Sequence, residues 1–174
     1  AYQHGRYIIP TFPILYLWGM LGMMGYSTSP KANQRIALLW QTVVIVLVLT
    51  FQLVGANQNA QDVVFVESQM VETAKWINVN LPSDAILGVH DIGAIGYFTP
   101  NPILDLAGLI TPDVVPFIRD ENRLSEYLDS KNTQYLITFP SWYPQLSTGH
   151  IELFEANNDH YPFSDRMTVY AWGD

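Results

Sequence analysis

The chain has 174 residues and carries 16 acidic against 8 basic side chains, which gives a formal net charge of −8. Every acidic residue lies at or after Asp62, whereas residues 1–56 contain only Arg6, Lys31 and Arg35 as charged side chains. The acidic part has no basic stripe that could neutralise phosphates, which argues against nucleic acid as a partner. The sequence contains no cysteine, which excludes a disulfide framework, a thiolate zinc site and a thiol nucleophile.

Two long apolar runs occupy the first third of the chain, Tyr7–Tyr26 and Ile36–Val54. As helices, runs of this length span about 30 Å, which matches the hydrocarbon core of a bilayer. They predict a two-span membrane anchor over residues 1–56, with the lipid bilayer and other transmembrane helices as partners. The sequence begins at Ala1 without a methionine, so we expect that Ala1 is not the first encoded residue.

Small and polar residues within the runs are candidates for helix packing. Gly19, Gly22 and Gly25 recur every third residue, which leaves one side of the first helix without side chains and favours close approach of another helix. The general enrichment of glycine in membrane helices explains the same pattern equally well. Gln41 in the second run could donate a hydrogen bond to a neighbouring helix.

The charges beside the runs predict an orientation. The short loop between them carries Lys31 and Arg35, and positive charge in a short loop favours the cytoplasmic side. Residues 57–174 are then predicted on the extracytoplasmic side of a bacterial cell membrane. His4 and Arg6 precede the first run at the predicted interface, where they either contact lipid phosphate or anchor the helix.

Residues 57–174 alternate between helical and strand patterns. A polar linker, Gly55–Gln61, is predicted to precede a helix that ends at Asn80. Further helices are predicted after Asp91, at Thr111-Pro112-Asp113 with the threonine as cap, and around Leu124–Leu128. The predicted strands are Ala85–His90, Ile103–Leu106, Tyr135–Phe139, Ile151–Ala156 and Met167–Trp172. This order predicts a small α/β domain with a mixed sheet of about five strands and an antiparallel pair at its C-terminal end.

The strongest candidate for a ligand site is the stretch 90–97, where a predicted strand ends and a helix begins. It contains His90, Asp91, Gly93 and Gly96. Sheets of α/β proteins bind ligands at that position, and a helix N-terminus attracts anions. The spacing GxxG is not that of a dinucleotide-binding loop, however, and Asp91 would repel a phosphate. A purely structural turn is the alternative interpretation.

Two carboxylates follow neighbouring predicted strands, Asp91 and Asp105, and could share one edge of the sheet. Paired carboxylates act as acid and base or hold a divalent cation. The alternative is structural: Asp91 caps a helix, and Asp105 accepts hydrogen bonds from loop amides ahead of Ala107-Gly108.

Histidines and aromatic loops complete the candidate groups. The histidines show no metal-binding spacing, so neither a metal nor a cofactor is predicted; they are His4, His90, His150 and His160. Ser141–Pro144 and His160–Phe163 are proline-containing aromatic loops. They could bind a sugar ring, contact the membrane surface, dock a partner or only cap the sheet.

Several of these stretches resemble a known family. Arg6-Tyr7 with Pro10 and Pro13 resembles the late spans of GT-C type membrane glycosyltransferases, the polyprenyl-phosphate-sugar-dependent enzymes of the family 39 and arabinosyltransferase-like kind. The acidic domain resembles the extracytoplasmic C-terminal domain of bacterial members. The similar stretches there are Trp76-Ile77, Asn80-Leu81-Pro82, Asp84-Ala85, His90–Phe98 and Leu104–Leu109. The resemblance covers nearly the whole chain but only the tail of such an enzyme.

The resemblance implies a catalytic acidic residue in the first extracytoplasmic loop of such enzymes, among N-terminal spans. No acidic residue precedes Asp62 here, so no catalytic residue of the family maps onto this sequence. The chain by itself is therefore not expected to transfer sugar.

Three hypotheses of function follow. In the first, the chain is the C-terminal part of an active glycosyltransferase that uses lipid-linked sugars. In the second, which we favour, it is a non-catalytic accessory or structural subunit of a larger membrane complex, for which a photosynthetic or respiratory assembly is a natural setting. In the third, the domain binds a small ligand independently.

Overall fold

The computed structural model describes residues 11–28, 33–157 and 165–173. The chain divides into two compact units, Ala1–Gln58 and Asn59–Asp174. His4, Arg6 and Lys31, together with the aromatic loop 160–163, lie outside the described residues, so their predicted roles stay predictions.

The first unit contains apolar helices. Helix α1 spans Phe12–Ser27, and Pro13 lies in its first turn, where a missing N–H costs least. Helix α2 spans Gln34–Phe65 and has no buried residue. The helix Gln34–Asn80 is long and apolar enough to cross a membrane, and Phe12–Tyr26 forms a shorter apolar helix.

The predicted linker Gly55–Gln61 is wrong, because these residues are helical within α2. A single glycine inside a helix costs only about 1 kcal/mol, and the alanine and glutamine residues around it favour the helix. A π-helical segment, Val66–Val71, follows. Helix α3 then spans Glu72–Asn80 and ends where the sequence predicts.

The second unit contains every strand that the sequence predicts, each trimmed by one to three residues. Its remaining elements, in chain order, are β1 (Leu87–Val89), α4 (Ile92–Phe98), β2 (Ile103–Asp105), a 3₁₀ helix (Pro112–Phe117), α5 (Glu121–Ser130), β3 (Tyr135–Thr138), α6 (Pro144–Ser147), β4 (Glu152–Glu155) and β5 (Thr168–Ala171). The predicted helix start is confirmed, with Thr111 at the N-cap position and Pro112 after it, but no side-chain capping bond forms. The Thr111 hydroxyl instead accepts a hydrogen bond from the Asp105 amide at 3.1 Å.

The strands form one mixed sheet in the order β2-β1-β3-β5-β4. Strands β2, β1 and β3 are parallel, and Val89 of β1 lies opposite both Asp105 and Ile137. Strand β5 is antiparallel to both of its neighbours. The predicted five-stranded mixed sheet, with its antiparallel C-terminal pair, is confirmed.

Successive residues of a strand point to opposite faces of the sheet. Both faces of this sheet carry apolar side chains, and helices cover both of them. On one face Val89, Ile137 and Val169 pack with Ala74 and Ile77 of α3. The other face carries a second core, which includes Leu124, Leu128, Leu136 and Tyr170. Two buried layers therefore hold the parallel strands in place, as is typical of α/β sheets.

A buried glutamine joins the π-helical segment to the sheet. Gln69 is fully buried; its Nε2 donates to the Asn157 carbonyl, and its Oε1 accepts from the Met167 amide, both at 3.0 Å. One side chain thus satisfies backbone groups of the segments after β4 and before β5. Nothing in the spacing of the sequence indicates this role.

Candidate functional site

Three parallel strands end at one edge of the sheet, and the loops that follow them carry the polar groups singled out from the sequence. His90 follows β1, Asp105 ends β2, and Trp142 and Tyr143 follow β3. The chain leaves β1 towards β2 and leaves β3 towards the other side of the sheet. In α/β sheets, ligands bind at the carboxyl ends of strands where the connections diverge in this way. We refer to this edge as the carboxyl edge.

His90 is the centre of an aromatic cluster at the carboxyl edge. Its Nδ1 lies 2.7 Å from the hydroxyl oxygen of Tyr143, a residue that is only 5% exposed. The Trp142 ring stands edge-on to the imidazole, with centroids 4.7 Å apart. Burial lowers the pKa of His90, and the carboxylates of Asp91 and Asp105 oppose this shift. The imidazole is therefore neutral at neutral pH.

The tyrosine of this cluster stays protonated. Burial raises the pKa of Tyr143 to about 12, and the negative charges of Asp105 and Glu121 add to the effect. The His90–Tyr143 contact is thus a hydrogen bond between two neutral groups, which costs less to bury than a charged pair. The cluster positions a histidine without activating it as a strong base.

The two carboxylates lie at the same edge, and each accepts backbone hydrogen bonds. Asp91 Oδ1 accepts from the Gly93 amide at 3.4 Å and caps α4. Asp105 is fully buried; its two oxygens accept from the Ala107 and Ile110 amides, each at 2.8 Å. The structural alternative for these two residues accounts for their contacts. Within the described ranges, no group of three or more His, Asp or Glu side chains is arranged to hold a metal ion.

The sequence did not connect the residues of this cluster. His90 and Tyr143 are 53 residues apart. The signal that could have joined them is positional, because both follow parallel strands, and β1 and β3 are neighbours in the sheet. Their adjacency depends on the strand order, which a single sequence does not state.

The helix-packing candidates fall on different sides of the first unit. Gly19 and Gly22 line an apolar groove between α1 and α2, opposite Trp40. Gly25 and Gln41 are exposed and do not line it. A Cβ added at any of the three glycines would meet no described atom within 4 Å. The groove is therefore open next to Gly19 and Gly22.

Fold and site together define a mixed α/β domain that is preceded by apolar helices. At its carboxyl edge, both carboxylates accept hydrogen bonds from backbone amides. The family model of a domain of unknown function (DUF8728) matches residues 57–170, and the chain belongs to this family. No curated protein and no solved structure matches the chain.

Proposed function

We propose that the chain is a membrane-anchored accessory module with a structural, non-catalytic role in a larger membrane assembly. In this proposal α1 and α2 both span a bacterial cell membrane, and the α/β domain lies on the extracytoplasmic side. Its ancestry is the C-terminal part of a GT-C type, family 39-like glycosyltransferase, in line with the sequence resemblance. The observation that carries the proposal is the open apolar groove between α1 and α2.

The groove supports a partner helix as its occupant. Its two parts have volumes of about 290 and 360 Å³, and Gly19, Met23 and Trp40 contribute to both. Glycine on one wall lets the backbone of another helix approach closely, and such packing drives helix association in lipid. The outer surfaces of α1 and α2 are apolar too, with Leu53 74% exposed and Trp18 71% exposed. An apolar surface of this extent is stable in a bilayer or against other helices.

The carboxyl edge supports a structural role for the α/β domain. A general acid or base needs a carboxylate that is free to exchange a proton with a substrate. Both oxygens of Asp105 instead accept hydrogen bonds from loop amides, and Asp91 caps α4 by accepting one from the Gly93 amide. These bonds hold the loops that follow β1 and β2.

Glycine substitutions test the partner helix. We expect Gly22→Leu to reduce the companions that co-purify with the chain from native membranes by about tenfold, since the leucine would fill the groove. Gly25→Leu is the matched control: it adds the same side chain to the same helix outside the groove and should leave recovery unchanged.

Three results, from this experiment and two others, would count against the proposal. Undiminished recovery of companions with Gly22→Leu would show that the groove holds no partner helix. An assembly that stays intact after deletion of the chain would contradict the structural role. An intact mass far above 19.7 kDa for the chain in native membranes would support the alternative, an active glycosyltransferase whose catalytic spans belong to the same polypeptide.

Small-ligand binding at the carboxyl edge is a second candidate function. The observation that favours it is the convergence of His90, Trp142 and Tyr143 where strand connections diverge, with Trp142 46% exposed. A neutral histidine beside an exposed indole suits a neutral ligand better than an anion.

A further inference from the structure

A polar cleft lies in the second unit at the end of the sheet opposite the carboxyl edge. It has a volume of about 520 Å³, within the range of small-molecule sites. Its walls come from α5, from the turn before β4 and from the end of β5, where Ala171 lies opposite Tyr135, the first residue of β3. The residues that matter for its chemistry are Ser125, Asp129, His150 and Trp172.

Two stacked rings form one wall of the cleft. The His150 imidazole lies parallel to the Trp172 indole, with centroids 4.4 Å apart and an angle of 20° between the planes. Trp172 is buried, whereas His150 is partly exposed in the cleft. The indole Nε1 donates to Asp129 Oδ1 at 2.8 Å, which fixes the orientation of the stack. The wall is therefore a pre-formed aromatic surface.

Polar groups for a ligand come from one face of α5. Ser125 and Asp129 are four residues apart, so they lie side by side on the helix. A carboxylate has about four lone-pair sites, and the bond to Trp172 uses one of them. The remaining sites and the Ser125 hydroxyl are available to bind ligand hydroxyl groups. Gly149 and Gly173, both with positive φ, form parts of the wall that carry no side chain.

The charge of the cleft selects the class of ligand. Among the described residues that line it there is no lysine or arginine, and Asp129 is acidic. An anion would be repelled, whereas a neutral hydroxyl-rich ring could donate to the carboxylate and pack its C–H face on the imidazole. We propose that this cleft binds a neutral sugar ring, as a monosaccharide or the terminal residue of a glycan. The proposal does not depend on the role of the membrane helices.

Ligand-detected NMR on the full chain in lipid nanodiscs tests the cleft. The probes are methyl glycosides of glucose, galactose, mannose and arabinose, with inorganic phosphate as the anionic comparison. We expect at least one glycoside to give a saturation-transfer signal. Phosphate has no C–H protons and is followed by its phosphorus resonance, which we expect not to broaden when the chain is added. We expect Asp129→Asn and His150→Ala each to weaken its binding about tenfold, the equivalent of one charge-assisted hydrogen bond or one ring contact.

Conservative variants separate binding from folding. His150→Phe keeps a ring on Trp172 and should retain most of the affinity, while Ser125→Ala removes one hydroxyl without disturbing the stack. Asp113→Asn removes an exposed charge outside the cleft and should change nothing. The proposal is overturned if no glycoside binds, if phosphate binds instead, or if Asp129→Asn and His150→Ala bind as the unsubstituted chain does.

Discussion

His90, at the end of β1, is expected to make the stability of this domain depend on pH. Its imidazole is held neutral beside Tyr143 because burial lowers the pKa of His90 below the usual 6.5. In the unfolded chain the same group takes up a proton near pH 6.5. The unfolded state therefore binds more protons below that pH, and the stability contributed by neutral His90 is present above it.

We expect the free energy of unfolding to fall as the pH drops below about 6.5, and this loss to level off below the folded pKa of His90. His90→Asn places a non-titrating polar atom near Tyr143 and should remove this part of the pH dependence. Denaturant unfolding of both proteins in detergent, from about pH 8 to pH 5, measures the difference. Parallel curves for the two proteins would contradict the assignment.

At the scale of elements, a glycine sets the distance between β1 and α5. A Cβ placed on Gly88 would lie 2.7 Å from Leu128 Cδ2, closer than real contacts allow. Leu128 is fully buried in the second core, so it has little room to move. The missing side chain of β1 is thus what lets α5 pack against the sheet.

We expect Gly88→Ala to destabilise the domain by about 1–3 kcal/mol, because it overpacks this contact. Gly96→Ala is the matched control inside α4, where the added Cβ would meet Ile103 at an ordinary 3.5 Å. Alanine there should stabilise the domain by about 0.5–1 kcal/mol, since glycine lowers helix stability. Thermal unfolding followed by near-ultraviolet circular dichroism reports both changes. Destabilisation of equal size in the two variants would show that the close approach at Gly88 is not the cause.

For the whole molecule, the absence of cysteine makes the proposed topology directly measurable. Glu126→Cys places a thiol on the exposed surface of α5, and Asn33→Cys places one just before α2. With two spans and an extracytoplasmic domain, a membrane-impermeant maleimide should label Glu126→Cys in intact cells. It should reach Asn33→Cys only after permeabilisation. The reverse labelling pattern would show that the orientation in the membrane is opposite to the proposed one. Labelling of both variants in intact cells would contradict the proposed two spans.

Local patterns in the sequence determined most of the elements. Short apolar runs located all five strands, and Asp91 indicated the start of α4, because apolar runs and helix caps are short-range properties of the sequence. The failure at Gly55–Gln61 has the same origin. A polar composition typical of a linker is also compatible with an exposed helix, and local composition does not distinguish the two.

Only the tertiary structure decided which distant residues meet. The order β2-β1-β3-β5-β4 brings His90 to Tyr143. The packing of α5 beside β5 brings Asp129 to Trp172, and the folding of the π-helical segment onto the sheet brings Gln69 to Met167. The sequence by itself determined the apolar helices, the acidic α/β domain and its five strands, but not α6 or the helical state of Gly55–Gln61. The partners of each polar side chain depended on strand order and on burial, which are properties of the folded chain as a whole and not of any short stretch within it.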